Sequence, residues 1–79
     1  MRCAILSRAG QVLANGSFVI QKNEMGELRL DFRTDGGRLI EGGMIEPDGD
    51  MTSASQVLYR QFLETWGISD ISLMAKPKF

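Results

Sequence analysis

The residues whose type invites a chemical reading are few: Ser53 and Ser55, the thiol Cys3, the carboxylates Asp48 and Asp50, and the paired glycines Gly36-Gly37 and Gly42-Gly43. Each lacks what its chemistry needs. The chain contains no histidine, so neither hydroxyl nor thiol can pair with an imidazole base, and no imidazole can ligate a metal. Its one cysteine excludes an internal disulfide and a Cys₄ or Cys₂His₂ zinc site. Ser53 and Ser55 open a helical segment with no lysine near in sequence, and read as caps. Cys3 sits in the apolar run Cys3-Ala4-Ile5-Leu6, which suits a buried, inert thiol. Asp48 and Asp50 could act as a glycosidase pair only in a cleft that a chain this short seldom frames. Counting from Asp35 or Asp48, the spacing fails the calcium-loop template. The glycine pairs flank a strand instead of joining strand to helix before a Lys and Ser/Thr, so they read as turns, not as a phosphate cradle. The expectation is a protein without catalytic residues, cofactor or metal.

Residues that would touch a partner are easier to find. Glu41, Glu46, Asp48 and Asp50 place four negative charges in ten residues with no Lys or Arg between them. They could meet a basic surface, or simply solvate a turn beside a helix N-terminus, where Asp48 and Asp50 favour the dipole. A second candidate is the edge of the helix carrying Tyr59, Leu63 and Trp66, because Tyr and Trp are large, stiff and carry a polar handle. A third is a strip of Arg29, Arg33 and Arg38 facing phosphate, weakened by the alternating Glu27 and Asp31.

The elements that must position these residues follow from periodicity. Residues 2–7 form a short apolar run. From Val12 to Ile20 every second residue is apolar or glycine, which reads as one bent strand with a bulge at Gly16. Asn15-Gly16 could instead split the segment as a tight turn. Leu28, Leu30 and Phe32 alternate with Glu27, Arg29, Asp31 and Arg33, so a half-buried antiparallel strand with a charged wet face is expected. Thr34-Asp35-Gly36-Gly37 is a hairpin turn. In the return strand, Leu39 and Ile45 should share one face and Ile40 and Met44 the other, with a kink at Gly42-Gly43. Thr52 or Ser53 caps a helix to about Trp66, Gly67 ends it, and 71–75 reads as a last strand before the tail Lys76-Pro77-Lys78-Phe79.

The expected fold is therefore α+β: a small antiparallel sheet, a four-strand meander with a possible fifth strand, packed on one helix in the order ββββα(β), as a single domain over 1–79. Phe18, Ile20, Leu28, Leu30, Phe32, Leu58, Phe62 and Trp66 are its expected core. Leu13, Val19 and Leu39 would face the other way, and either the tail with Leu73, Met74 and Phe79 covers the spare apolar surface or it stays open as an interface. Hydrophobic residues make up 43% and charged residues 24%, which is globular rather than disordered. A net charge of −1 supplies no general field toward nucleic acid or membrane. The start is too short and too soon interrupted by Arg8 for a signal peptide, and a lone cysteine suits a reducing compartment, so a complete cytoplasmic gene product is expected.

The leading functional expectation is a small non-enzymatic protein-binding module. It would act by occluding a surface of a larger protein or ribonucleoprotein complex, through Tyr59, Leu63 and Trp66 or through Glu46, Asp48 and Asp50. Small proteins of this kind include phage and mobile-element inhibitors of host defence complexes, anti-CRISPR proteins among them; that analogy rests on size and poverty of motifs. The alternatives are a homodimeric structural or assembly protein and a weak nucleic-acid binder using Arg29, Arg33 and Arg38.

Overall fold

The computed structural model describes residues 2–67 and the backbone of 71–75. Five strands, β1 (Arg2–Ser7), β2 (Val12–Lys22), β3 (Leu28–Thr34), β4 (Leu39–Met44) and β5 (Ile71–Ala75), surround one helix in sequence, α1 (Thr52–Trp66). They form one sheet in the order β4-β3-β2-β1-β5. The first four strands are an antiparallel meander, and β5 pairs antiparallel with β1 at the opposite edge from β4. This is the expected α+β meander-and-helix fold with its fifth strand in place. The side chains of Leu73 and Met74 and the tail 76–79 lie outside the described residues.

One face of the sheet carries Cys3 and Ile5 from β1, Phe18 from β2, Leu30 and Phe32 from β3 and Ile40 from β4; α1 packs on it, chiefly against β4 and β3. Ala54, Leu58 and Phe62, spaced four residues apart, form the buried stripe of the helix. Phe18, Phe32, Phe62 and Trp66 make a continuous chain of rings with centroids 5.5, 5.3 and 5.7 Å apart; the first two contacts are edge-on. Such pairs add about 0.5–1.5 kcal/mol each beyond the area they bury. Two expected core members are not core. Ile20 is 51% and Leu28 38% exposed, because α1 lies over β4 and β3 and leaves this end of the β2–β3 hairpin uncovered.

Two bulges decide which side chains face inward. The first lies between β1 and β2, where the register shifts between Ile5 and Leu6 and leaves Leu13 as the extra residue, not Gly16. Leu13 consequently packs against the core instead of facing away, while Val12 is turned out and exposed. Gly16 instead allows strands to approach: a Cβ there would collide with the carbonyl oxygen of Arg33 and lie 2.7 Å from the Phe32 ring. The second bulge lies in β4 opposite the Arg29–Asp31 stretch of β3. It resets the alternation, so Ile40 and Ile45 are both buried whereas Leu39 and Met44 are both exposed. The expected pairing of faces is thereby reversed for the second half of the strand.

Gly42 and Gly43 within this bulge are the seat of the helix. A Cβ on Gly42 would collide with the carbonyl oxygen of Leu30 and lie 2.9 Å from Leu58 Cβ; one on Gly43 would lie 3.0 Å from Ala54 Cα and 3.1 Å from Val57 Cβ. Val57, partly exposed, thus sits at the margin of this contact. The helix begins without a side-chain cap, at Met51. Neither Thr52 nor Ser53 performs that role; the Asp50 carboxylate accepts the Thr52 N–H at 2.8 Å. At the other end Gly67 adopts the left-handed conformation and donates to the Leu63 carbonyl at 2.9 Å, as expected of a C-terminal glycine.

Candidate functional site

Four turns of the chain share one five-residue plan: Ser7–Gln11, Asn23–Glu27, Thr34–Arg38 and Glu46–Asp50. In each, the first residue's N–H donates to the fifth residue's carbonyl, and a glycine at the fourth position, with φ between +83° and +93°, donates back to the first carbonyl. This is a type I turn closed by a glycine bulge. Side chains reinforce it: Asn23 Oδ1 accepts the N–H groups of both Met25 and Glu27 at 2.9 Å. The repeated x-x-x-Gly-x pattern is present in the sequence but is concealed because the other positions vary.

Two of these turns, Asn23–Glu27 and Glu46–Asp50, lie at the same end of the sheet and border a groove of about 470 Å³. Its apolar lining is Met25, Leu28, Ile45 and Pro47, with Met44 joining at the sheet's edge from the face that carries Arg29, and Glu27 and Glu46 stand on its rim. Met25 is 85% and Met44 43% exposed. The two turns also carry Glu24, Asp48 and Asp50, all exposed. None of these five carboxylates has an ion-pair partner among the described residues. Asp48 Oδ1 accepts the Asp50 N–H at 2.9 Å, and the Thr52 hydroxyl and N–H hold Asp50 below the usual carboxylate range. Of the acidic turn singled out from sequence, Glu46 closes the turn through its backbone alone and leaves its carboxylate unused there, whereas the Asp48 and Asp50 side chains shape the turn and the helix start. Met25 was not singled out from sequence, and Leu28 and Met44 were read only as strand residues, Leu28 as core. The signal was there in Met25, an apolar residue inside an otherwise polar turn.

The other acidic candidate on the sheet has a different role. Asp31, expected to face water, is completely buried. Arg29 grips it with Nε at 2.8 Å and a terminal nitrogen at 2.9 Å, Gln21 donates at 3.2 Å, and the Gly42 N–H in the β4 bulge donates at 3.1 Å. Burial pushes the carboxyl up, but the Arg29 hydrogen bonds, the Gly42 N–H, the Arg29 charge and the Gln21 amide outweigh it, so Asp31 stays below the usual carboxylate range. Arg29 also reaches Glu41 at 3.0 Å. The cage pins the bulge on which the helix rests.

This arrangement disperses the arginine strip. Arg29 is held by Asp31 and Glu41. Arg33 is exposed on the same face, opposite Leu39. Arg38 lines a separate cleft with Leu13, Ala14 and Trp66. On the helix, Leu63 and Trp66 are half-buried and pack against the core, and Trp66 contacts Phe62. Tyr59, 36% exposed, and Leu63 border a shallow apolar patch with Arg60. Cys3 is buried, and burial raises its thiol above the ordinary value. No protein-family model, curated protein or solved structure matches the chain.

Proposed function

We propose that this chain is a protein-binding module that works by occupying a surface on a larger protein or ribonucleoprotein complex, and that its contact surface is the groove between the Asn23–Glu27 and Glu46–Asp50 turns. The observation that supports this is the exposure of Met25, Leu28 and Met44 in one groove whose rim carboxylates have no ion-pair partner among the described residues. Exposed apolar surface contributes nothing to the monomer's stability, and gathered beside charge it resembles the centre and rim of an interface. The helix edge is the weaker candidate, since Leu63 and Trp66 already pack inward. A cytoplasmic setting suits the free thiol of Cys3, and no helix among the described residues is long and apolar enough to cross a membrane. The narrower reading as a phage-type inhibitor of host defence rests on size and the scarcity of catalytic motifs alone.

The test is affinity capture with the whole chain at low and high salt, read by mass spectrometry, with two variants in parallel. Glu27→Gln/Glu46→Gln should abolish a stoichiometric partner that wild type retains, while Tyr59→Ala should keep it. The reverse pattern moves the contact to the helix edge. Recovery of the bait alone, with a dimeric mass in solution, replaces this reading by the homodimeric assembly protein.

A further inference from the structure

We infer that the groove takes an amphipathic, basic segment of a partner polypeptide, with apolar side chains inserted between Met25 and Met44 and flanking lysines or arginines on the carboxylate rim; this rests on the protein-binding reading above. Three observations specify the occupant. The wall is apolar and two of its five members are methionines, whose unbranched, polarisable side chains adapt to differently shaped apolar groups. The two charged residues that line it, Glu27 and Glu46, are both acidic, and the turns that carry them add Glu24, Asp48 and Asp50, so half of the chain's ten acidic residues gather at one end of a molecule whose net charge is only −1. In the neighbouring cleft, Arg29 is committed to Asp31 and Glu41, and Lys22, beside Glu27 and Met44, forms no ion pair among the described residues. Cations from outside are therefore what these carboxylates can gain.

The same charges argue against a second copy of this chain as the occupant. A two-fold interface would set each carboxylate rim against its own image, and like charges in apposition oppose association. A small apolar ligand would leave the rim unused. The groove is also pre-formed: Asn23 ties down the N–H groups of Met25 and Glu27, and the Ile45 N–H bonds the Leu28 carbonyl at 2.8 Å, joining the two walls. A partner segment would thus pay little to order its receptor.

The test uses the full chain labelled at its methionine methyl groups and three synthetic 14-residue peptides. The first is a leucine/lysine amphipathic helix, the second replaces its lysines by glutamate, and the third keeps the lysines and replaces leucine by serine. The leucine/lysine peptide should shift the Met25 and Met44 methyl resonances saturably. Its affinity should fall about tenfold between 50 and 500 mM salt, and the other two peptides should bind at least about tenfold more weakly. Glu27→Gln/Glu46→Gln should weaken the first peptide about fivefold and abolish its preference over the glutamate peptide. Equal binding of the glutamate peptide, or saturation without movement of Met25 and Met44, overturns the inference. If a captured partner is lost on Glu27→Gln/Glu46→Gln while the leucine/lysine peptide does not bind the groove, the occupant is wrong and the protein-binding reading stands. If capture ignores those substitutions, that reading fails as well.

Discussion

Asp31 and Glu46 flank the same bulged stretch of sheet and edge, yet they differ in every respect that matters to function. Asp31 is fully buried and satisfied by Arg29, Gln21 and the Gly42 N–H. Glu46 is exposed, stands at the rim of an apolar groove and has no ion pair among the described residues. The first carboxylate has exchanged its solvation for a structural role, and its hydrogen-bonding capacity is consumed. The second keeps its charge available. Acidic composition alone is thus a poor guide to a binding site; what distinguishes the two is how many donors already surround the oxygen atoms.

The strongest challenge to this comparison is Asp31→Ala. It would strand a partly buried guanidinium and the Gly42 N–H, and should lower unfolding free energy by about 3 kcal/mol in urea titrations. An unchanged midpoint would mean that the cage is incidental to the bulge. Gly42→Ala attacks the same seat from the helix side. Its methyl group meets the Leu30 carbonyl and Leu58 Cβ, so a loss of about 2 kcal/mol is expected, accompanied by a change in the near-ultraviolet signal of Trp66 as the helix shifts.

Acid sharpens the contrast. The folded-state pKa of Asp31 lies below its ordinary value. Its contribution to stability is therefore fully present above the unfolded value, about 3.9, and is lost as pH falls through the folded value. Wild type should lose stability over that acidic window, and Asp31→Asn should show a shallower loss; parallel profiles would remove Asp31 as the cause. The smallest expected effect belongs to the other member of the pair. Glu46→Gln should alter stability by no more than about 0.5 kcal/mol, as surface substitutions do, while changing the salt dependence of partner binding. A large destabilisation would show that Glu46 too is spent on the fold.

Much of the architecture was legible. Leu28, Leu30 and Phe32 announce an alternating strand, and Ala54, Leu58 and Phe62 a helix face, because these periods follow from backbone geometry. Gly67 as helix terminator was readable for the same local reason. The faces of Leu13, Ile40 and Ile45 were not, because a single extra residue in a strand inverts the alternation, and the position of that residue depends on the partner strand. The candidate site was half legible. Glu46, Asp48 and Asp50 stood out as a charge cluster, but Met25, on a turn, and Met44, at the end of β4, are nineteen residues apart in sequence and only the meander brings them together.

By itself the sequence determined the element order, the turn glycines and the absence of histidine chemistry, since each depends on residue identity and near neighbours. Tertiary structure alone decided that Asp31 is buried and Glu46 is not, and that Ile20 and Leu28 stay uncovered. Burial is settled by what packs above a residue, and α1, resting on Gly42 and Gly43, covers chiefly β4 and part of β3 and leaves Ile20 and Leu28 open.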